Sequence, residues 1–177
     1  MDSGMAGRSR AAALVLAVAA MAAGSSAAGQ PAARPNTASA GDLSVLQIAT
    51  TDPDALLAEW AKPTRGVRLT GSTRATRNQP IVTFIIFKGC KADASGACNL
   101  TADFTVTGPT GRVYSQEKAA KVWVGRRPPP NQALQLSESG LGLRFEDKDP
   151  LGPYRVRTTV TDHVAAVLAR GCRPDGL

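Results

Sequence analysis

Apolar and polar residues alternate with a period of two through much of the second half of the chain. Leu100, Ala102, Phe104 and Val106 alternate with Thr101, Asp103, Thr105 and Thr107. Leu141, Leu143 and Phe145 alternate with Gly142, Arg144 and Glu146, and Tyr154, Val156, Thr158 and Val160 with Arg155, Arg157, Thr159 and Thr161. Successive side chains of a strand point to opposite faces, so each stretch predicts a strand with one face in a core and one in water. Ile81 to Phe87 (IVTFIIF) is apolar on both sides and predicts a central strand. Shorter strands are expected at Val67 to Thr70, Lys121 to Val124 and Ala133 to Leu136. Gly108-Pro109-Thr110-Gly111 marks a turn, and Pro128-Pro129-Pro130 a loop, because proline cannot donate to a sheet ladder.

One segment reads as a helix. Asp52-Pro53-Asp54 precedes Ala55 to Trp60, so Asp52 can cap the first turn, Pro53 suits the first helical position and Asp54 complements the dipole. Pro63 ends it, and Trp60 is expected as a lid on the core. About eight short strands separated by Gly and Pro turns predict an all-β antiparallel sandwich with one short N-terminal helix.

The first residues read differently. Arg8 and Arg10 precede an apolar run from Ala11 to Ala23, and small residues follow at Ser26 to Ala28. This is the pattern of a cleaved signal peptide over 1–28; the run is too short for the roughly 20 residues of a membrane span. No cysteine stands near the cleavage position to carry a lipid. All three methionines, Met1, Met5 and Met21, fall inside the signal, so the mature chain offers no thioether to a soft metal. Residues 29–41 (GQPAARPNTASAG) have nothing to bury and read as a disordered linker. The domain is expected over 42–170, followed by a flexible tail over 171–177. No later segment is long and apolar enough to cross a membrane, and the expected location is secreted or periplasmic.

Asp149-Pro-Leu-Gly152-Pro-Tyr154-Arg-Val156 resembles the corner of immunoglobulin-like domains, where an acid and a glycine precede a strand opening with tyrosine. The resemblance implies an immunoglobulin-like sandwich in which the Tyr154 hydroxyl bonds to the chain a few residues upstream. Val156 replaces the inter-sheet cysteine of true immunoglobulin domains, and the acid lies one residue further from the glycine than usual. Leu43 to about Ala169 is also similar to uncharacterised exported bacterial proteins of this kind, which implies an architecture without a chemistry.

Three cysteines remain to be placed. Cys90 and Cys98 lie at the two ends of one expected hairpin, within reach of a disulfide worth roughly 2–3 kcal/mol by loop entropy. A zinc site at this spacing lacks ligands, since the chain has one histidine. Cys172 is left over in the tail. His163 follows Asp162, but neither Ser95 nor Ser139 is flanked by glycines as a nucleophile elbow requires. Glu146, Asp147 and Asp149 read as a surface turn, because one turn makes no glycosidase cleft and the spacing is not that of a calcium loop.

Charge adds the last signal. From Gly29 onward 19 lysines and arginines face 13 acids, and between Glu59 and Asp93 lie Lys62, Arg65, Arg68, Arg74, Arg77, Lys88 and Lys91 with no acid. Arg65, Arg68, Arg74 and Arg77 are the candidate contacts for an anionic partner. Nucleic acid is a poor partner outside a cell, and interleaved aromatics are missing from the run. The expected function is a non-enzymatic interaction module for an anionic envelope polymer or a partner protein, with no catalytic residue, cofactor or metal. The alternative is an enzyme, or an enzyme-associated domain, acting on cell-envelope polymers.

Overall fold

The structure, a computed structural model, describes residues 36–62 and 69–176, with the backbone alone for 172–176. Among these residues nine strands form two antiparallel sheets. The first has the order β1 (Thr37–Ala40), β2 (Leu43–Thr50), β3 (Pro80–Lys88), with β6 (Gln135–Leu136) and β7 (Leu141–Arg144) both pairing to the far side of β3. The second has the order β5 (Val113–Arg126), β4 (Cys98–Thr107), β8 (Pro153–Asp162), β9 (Val167–Gly176). This is an all-β sandwich.

The inward parity of each strand supplies one core. Leu43, Val45, Ile85 and Phe87 of the first sheet are buried with Leu100, Phe104, Val106, Val156 and Val160 of the second. The core also carries a polar tie. The Gln47 carboxamide oxygen accepts from Thr158 Oγ1 at 3.0 Å, and its Nε2 donates to the Val156 carbonyl at 3.4 Å. A carboxamide only 1 % exposed is tolerable because both ends are bonded.

The double-sided character of Ile81 to Phe87 has a cause. Ile81, Ile85 and Phe87 face the inter-sheet core, while Phe84 and Ile86 face outward under α1 (Pro53–Trp60), with Ile48, Leu56 and Leu136. Asp52 caps this helix as expected, its Oδ1 accepting from the Ala55 N–H at 3.0 Å, and half-buried Trp60 packs on this second cluster. Pro63 and Val67, like Arg65 and Arg68, lie outside the described residues; Leu69 and Thr70 are not in a strand.

Two boundaries differ from expectation. Within the expected linker, Thr37–Ala40 is a strand paired to β2 from Thr37↔Leu46 to Ala40↔Leu43. Its Thr-Ala-Ser-Ala sequence hides the alternation, yet Ala38 and Ala40 pack against the core and the backbone supplies the rest. The expected tail is likewise strand as far as Gly176, and β9 pairs β8 to the register Pro153↔Gly176. Pro174 is admitted because β9 is an edge strand, where a missing donor faces no partner. Cys172 therefore belongs to the sheet, opposite Arg157. The 29–35 part of the linker and the signal segment lie outside the described residues.

Lys121 to Val124 is part of the longer β5, which bends at Ala119 (φ 53°), where the backbone N–H donates to Asp103 Oδ1 at 2.9 Å. Ser139 N–H and Glu138 N–H reach across to the β5 carbonyls of Lys121 and Val122 at 3.1 and 3.0 Å. This crossing segment covers part of an edge that would otherwise be open to pairing. Cys90 and Cys98 are disulfide-bonded, with Cα atoms 6.0 Å apart, joining the end of β3 to the start of β4.

Candidate functional site

The basic loop is less basic in space than in sequence. Arg74 and Arg77 are exposed, but Arg77 Nη2 donates to the Asp149 carbonyl at 2.8 Å and Asn78 Nδ2 to Asp147 Oδ1 at 3.1 Å. The acidic turn Glu146–Asp149 thus lies against this loop, and Lys62 is paired with Glu59. Arg65 and Arg68 lie outside the described residues.

That turn is not wholly a surface turn either. Asp149 is buried, and its Oδ2 accepts from the Glu146 N–H and the Tyr114 hydroxyl, both at 2.7 Å. Tyr114, Phe145 and Tyr154 stack around it, with centroids 4.3 to 5.7 Å apart. The Tyr154 hydroxyl donates to the Pro150 carbonyl at 3.0 Å, four residues upstream. This is a structural corner that pins the start of β8.

The corner sets two pH dependences. Burial and the bond to Asp149 push Tyr114 up to about 12, and burial, then the Asp149 charge, raises Tyr154. A phenol held neutral contributes stability that is complete below its ordinary value of 10.0 and lost as pH rises above it. Asp149 has the opposite sign: the Glu146 N–H, then the Tyr114 hydroxyl, hold it below 3.8, so its contribution is complete above that value and lost as pH falls below it. These are the only two tyrosines in the chain, so a spectrophotometric titration reads both. It should show both ionising above the ordinary value of 10.0 while the fold persists; ionisation at the ordinary value in folded protein would contradict the corner. Tyr154→Phe should cost about 0.5–1.5 kcal/mol in denaturant unfolding, and more where the Pro150 carbonyl is left unpaired. An unchanged midpoint would contradict it.

His163 belongs to another end of the molecule. Its Nε2 lies 2.8 Å from Thr101 Oγ1, while Ser95 Oγ donates to Asp93 Oδ1 and Ser139 Oγ to the Lys121 carbonyl. No serine is brought to the imidazole among the described residues, and no group of three or more His, Cys, Asp or Glu stands close enough to hold a metal ion. A cleft of about 500 Å³ lies between α1 and Leu69–Ser72. Three of its polar side chains are engaged: Asp52 caps the helix, Thr50 Oγ1 bonds to the Asp52 backbone, and Glu59 holds Lys62.

The strongest unspent chemistry is on the outer face of the β5–β4–β8–β9 sheet. Register places Lys121, Thr101 and Thr161 in one row, Thr159 and Arg170 beside Asp103 in the next, then Thr105 with Arg157, then Thr107 with Arg155. The intervening rows, including Leu100, Ala102, Phe104 and Val106, are buried. The only acid in these rows is Asp103, and Lys118 Nζ lies 3.0 Å from its Oδ2. The Ala119 N–H, then Lys118, lower its pKa, so it stays an anion already matched by a cation. Arg155, Arg157, Arg170 and Lys121 are exposed and form no side-chain hydrogen bond or ion pair among the described residues.

Arg155 and Arg157 are two positions apart on one face of β8, roughly 7 Å between Cα atoms, and like charges at that separation would repel by about 0.6 kcal/mol in water. Among the described residues no acid pairs with either arginine. The sequence carried half of this signal. The outward parity of Arg155 and Arg157 is legible along β8, but the arrival of Arg170 and the β4 threonines depends on which strands are neighbours.

The chain matches no protein-family model, no curated protein and no solved structure. Among the described residues no helix is long and apolar enough to cross a membrane.

Proposed function

We propose that this is a secreted or periplasmic binding module that holds an anionic polymer on the outer face of its β5–β4–β8–β9 sheet and catalyses no reaction. The observation that carries the reading is a set of four cations on one sheet face that have no side-chain partner among the described residues, beside a single acid in those rows that is already paired. The shape of the ligand follows from the surface. Small-molecule sites are concave, whereas these cations are spread over three strands of an open sheet, which suits an extended chain touching several at once.

The immunoglobulin-like assignment belongs to the same proposal. The order β5-β4-β8-β9 matches the C′-C-F-G order of such sandwiches, and Tyr154 stands at the start of the F-like strand with its hydroxyl bonded upstream. Export is supported by the charged and apolar start of the chain and by a disulfide, which persists in oxidising compartments. The exported form should begin near Gly29 by mass spectrometry; an intact Met1 would contradict that.

The binding test uses immobilised anionic polymers beside neutral dextran. The domain should be retained on the anionic columns at low ionic strength and released by 1 M salt, where the Debye length is about 3 Å. Retention on dextran, or retention that survives 1 M salt, would contradict a charged face as the site.

A further inference from the structure

Resting on that reading, we infer that the face recognises hydroxyls as well as charge, and that its ligand is an acidic polysaccharide. Each of its three arginines stands directly across from a threonine on the neighbouring strand: Thr107↔Arg155, Thr105↔Arg157 and Thr159↔Arg170. Opposed residues of an antiparallel pair have their Cβ atoms about 4.5–5.5 Å apart, so each unit offers a guanidinium fork with a hydroxyl beside it. The Thr105, Thr107, Thr159 and Thr161 hydroxyls make no hydrogen bond among the described residues; Thr101 is spent on His163.

A guanidinium matches a carboxylate through two parallel N–H···O bonds, and a threonine hydroxyl can both donate and accept. A uronic acid presents that combination, a carboxylate on a ring that also carries hydroxyls. Polyphosphate presents charge with acceptor oxygens alone, so a threonine can donate to it but has nothing to accept from, and one of its two roles is lost. Three units on adjacent strands give an acidic polysaccharide repeated charge and repeated hydroxyl contacts at once.

The test is a calorimetric or anisotropy titration of the intact domain with polygalacturonate and, separately, with polyphosphate. Thr105→Val with Thr159→Val keeps side-chain shape and strand preference, and circular dichroism verifies the fold. Each hydroxyl bond lost should weaken binding about 2- to 10-fold. The double variant should therefore lose roughly 5-fold or more on polygalacturonate and distinctly less on polyphosphate. Equal effects on both polymers, or none on either, would overturn hydroxyl recognition while leaving the charged-face reading intact. Failure of wild type to bind either polymer, or binding indifferent to Arg155→Gln and Arg157→Gln, would overturn the charged-face reading itself.

Discussion

Gly89→Ala should unfold at a markedly lower denaturant concentration, having lost about 2–5 kcal/mol. Gly89 follows β3 with φ +79°, a conformation that costs an L residue roughly 1–2 kcal/mol. A Cβ there would stand 1.9 Å from the Asp42 carbonyl oxygen and 2.7 Å from its carbon. Those atoms are backbone, and the next residue is fully buried Leu43. Relief therefore means displacing the start of β2, and overpacking of that kind adds about 1–3 kcal/mol. Gly96, inside the loop that the disulfide closes, supplies the control. Its φ is +82°, but nothing lies within 4 Å of an added Cβ, so Gly96→Ala should show the conformational cost alone. Equal losses in the two variants would mean that the chain does not cross Asp42 as closely as described.

Replacing Arg155, Arg157 and Arg170 together with glutamine should weaken binding to an anionic polymer roughly 10- to 150-fold. Exposed charge pairs contribute about 0.2–1 kcal/mol each, with the better bonded ones at the upper end. Three contacts at about 0.5–1 kcal/mol sum to about 1.5–3 kcal/mol, and each 1.4 kcal/mol is tenfold in affinity. Stability should hold or rise slightly, because the substitutions remove mutual repulsion and break no bond made within the described residues. Arg74→Gln, on the loop that sequence alone favoured, should change binding less than 2-fold. The reverse outcome, with Arg74 decisive and the three strand arginines silent, would return the site to that loop.

β4 and β8 of the second sheet were legible because each buries one face, and burial writes a period of two into the residues. β3 was legible as central for the complementary reason: α1 covers its outer face, so both parities are apolar. β1 and β9 were not, since small residues in the one and a Val-Leu-Ala-Arg run ending in Cys-Arg-Pro in the other carry no alternation, while backbone pairing asks for none. The disulfide followed from two cysteines at the ends of one short loop, although β3 and β4 lie in different sheets and form no hairpin. The candidate site was the least legible feature. A run of arginines in sequence drew notice, yet folding lays the Glu146–Asp149 turn against Arg77. The unmatched charge lies instead on residues dispersed along β8 and β9, and no local pattern gives the register that assembles them.

The most direct measurement of the central claim is a heteronuclear NMR titration of isotope-labelled domain with polygalacturonate at low ionic strength. The binding face predicts that shifted amides cluster on β4, β8 and β9, around Thr105, Arg157, Thr159 and Arg170, and that the shifts vanish in 1 M salt. Shifts confined to the α1 cleft or to the Arg74–Arg77 loop, or no shifts at any polymer concentration, would contradict it.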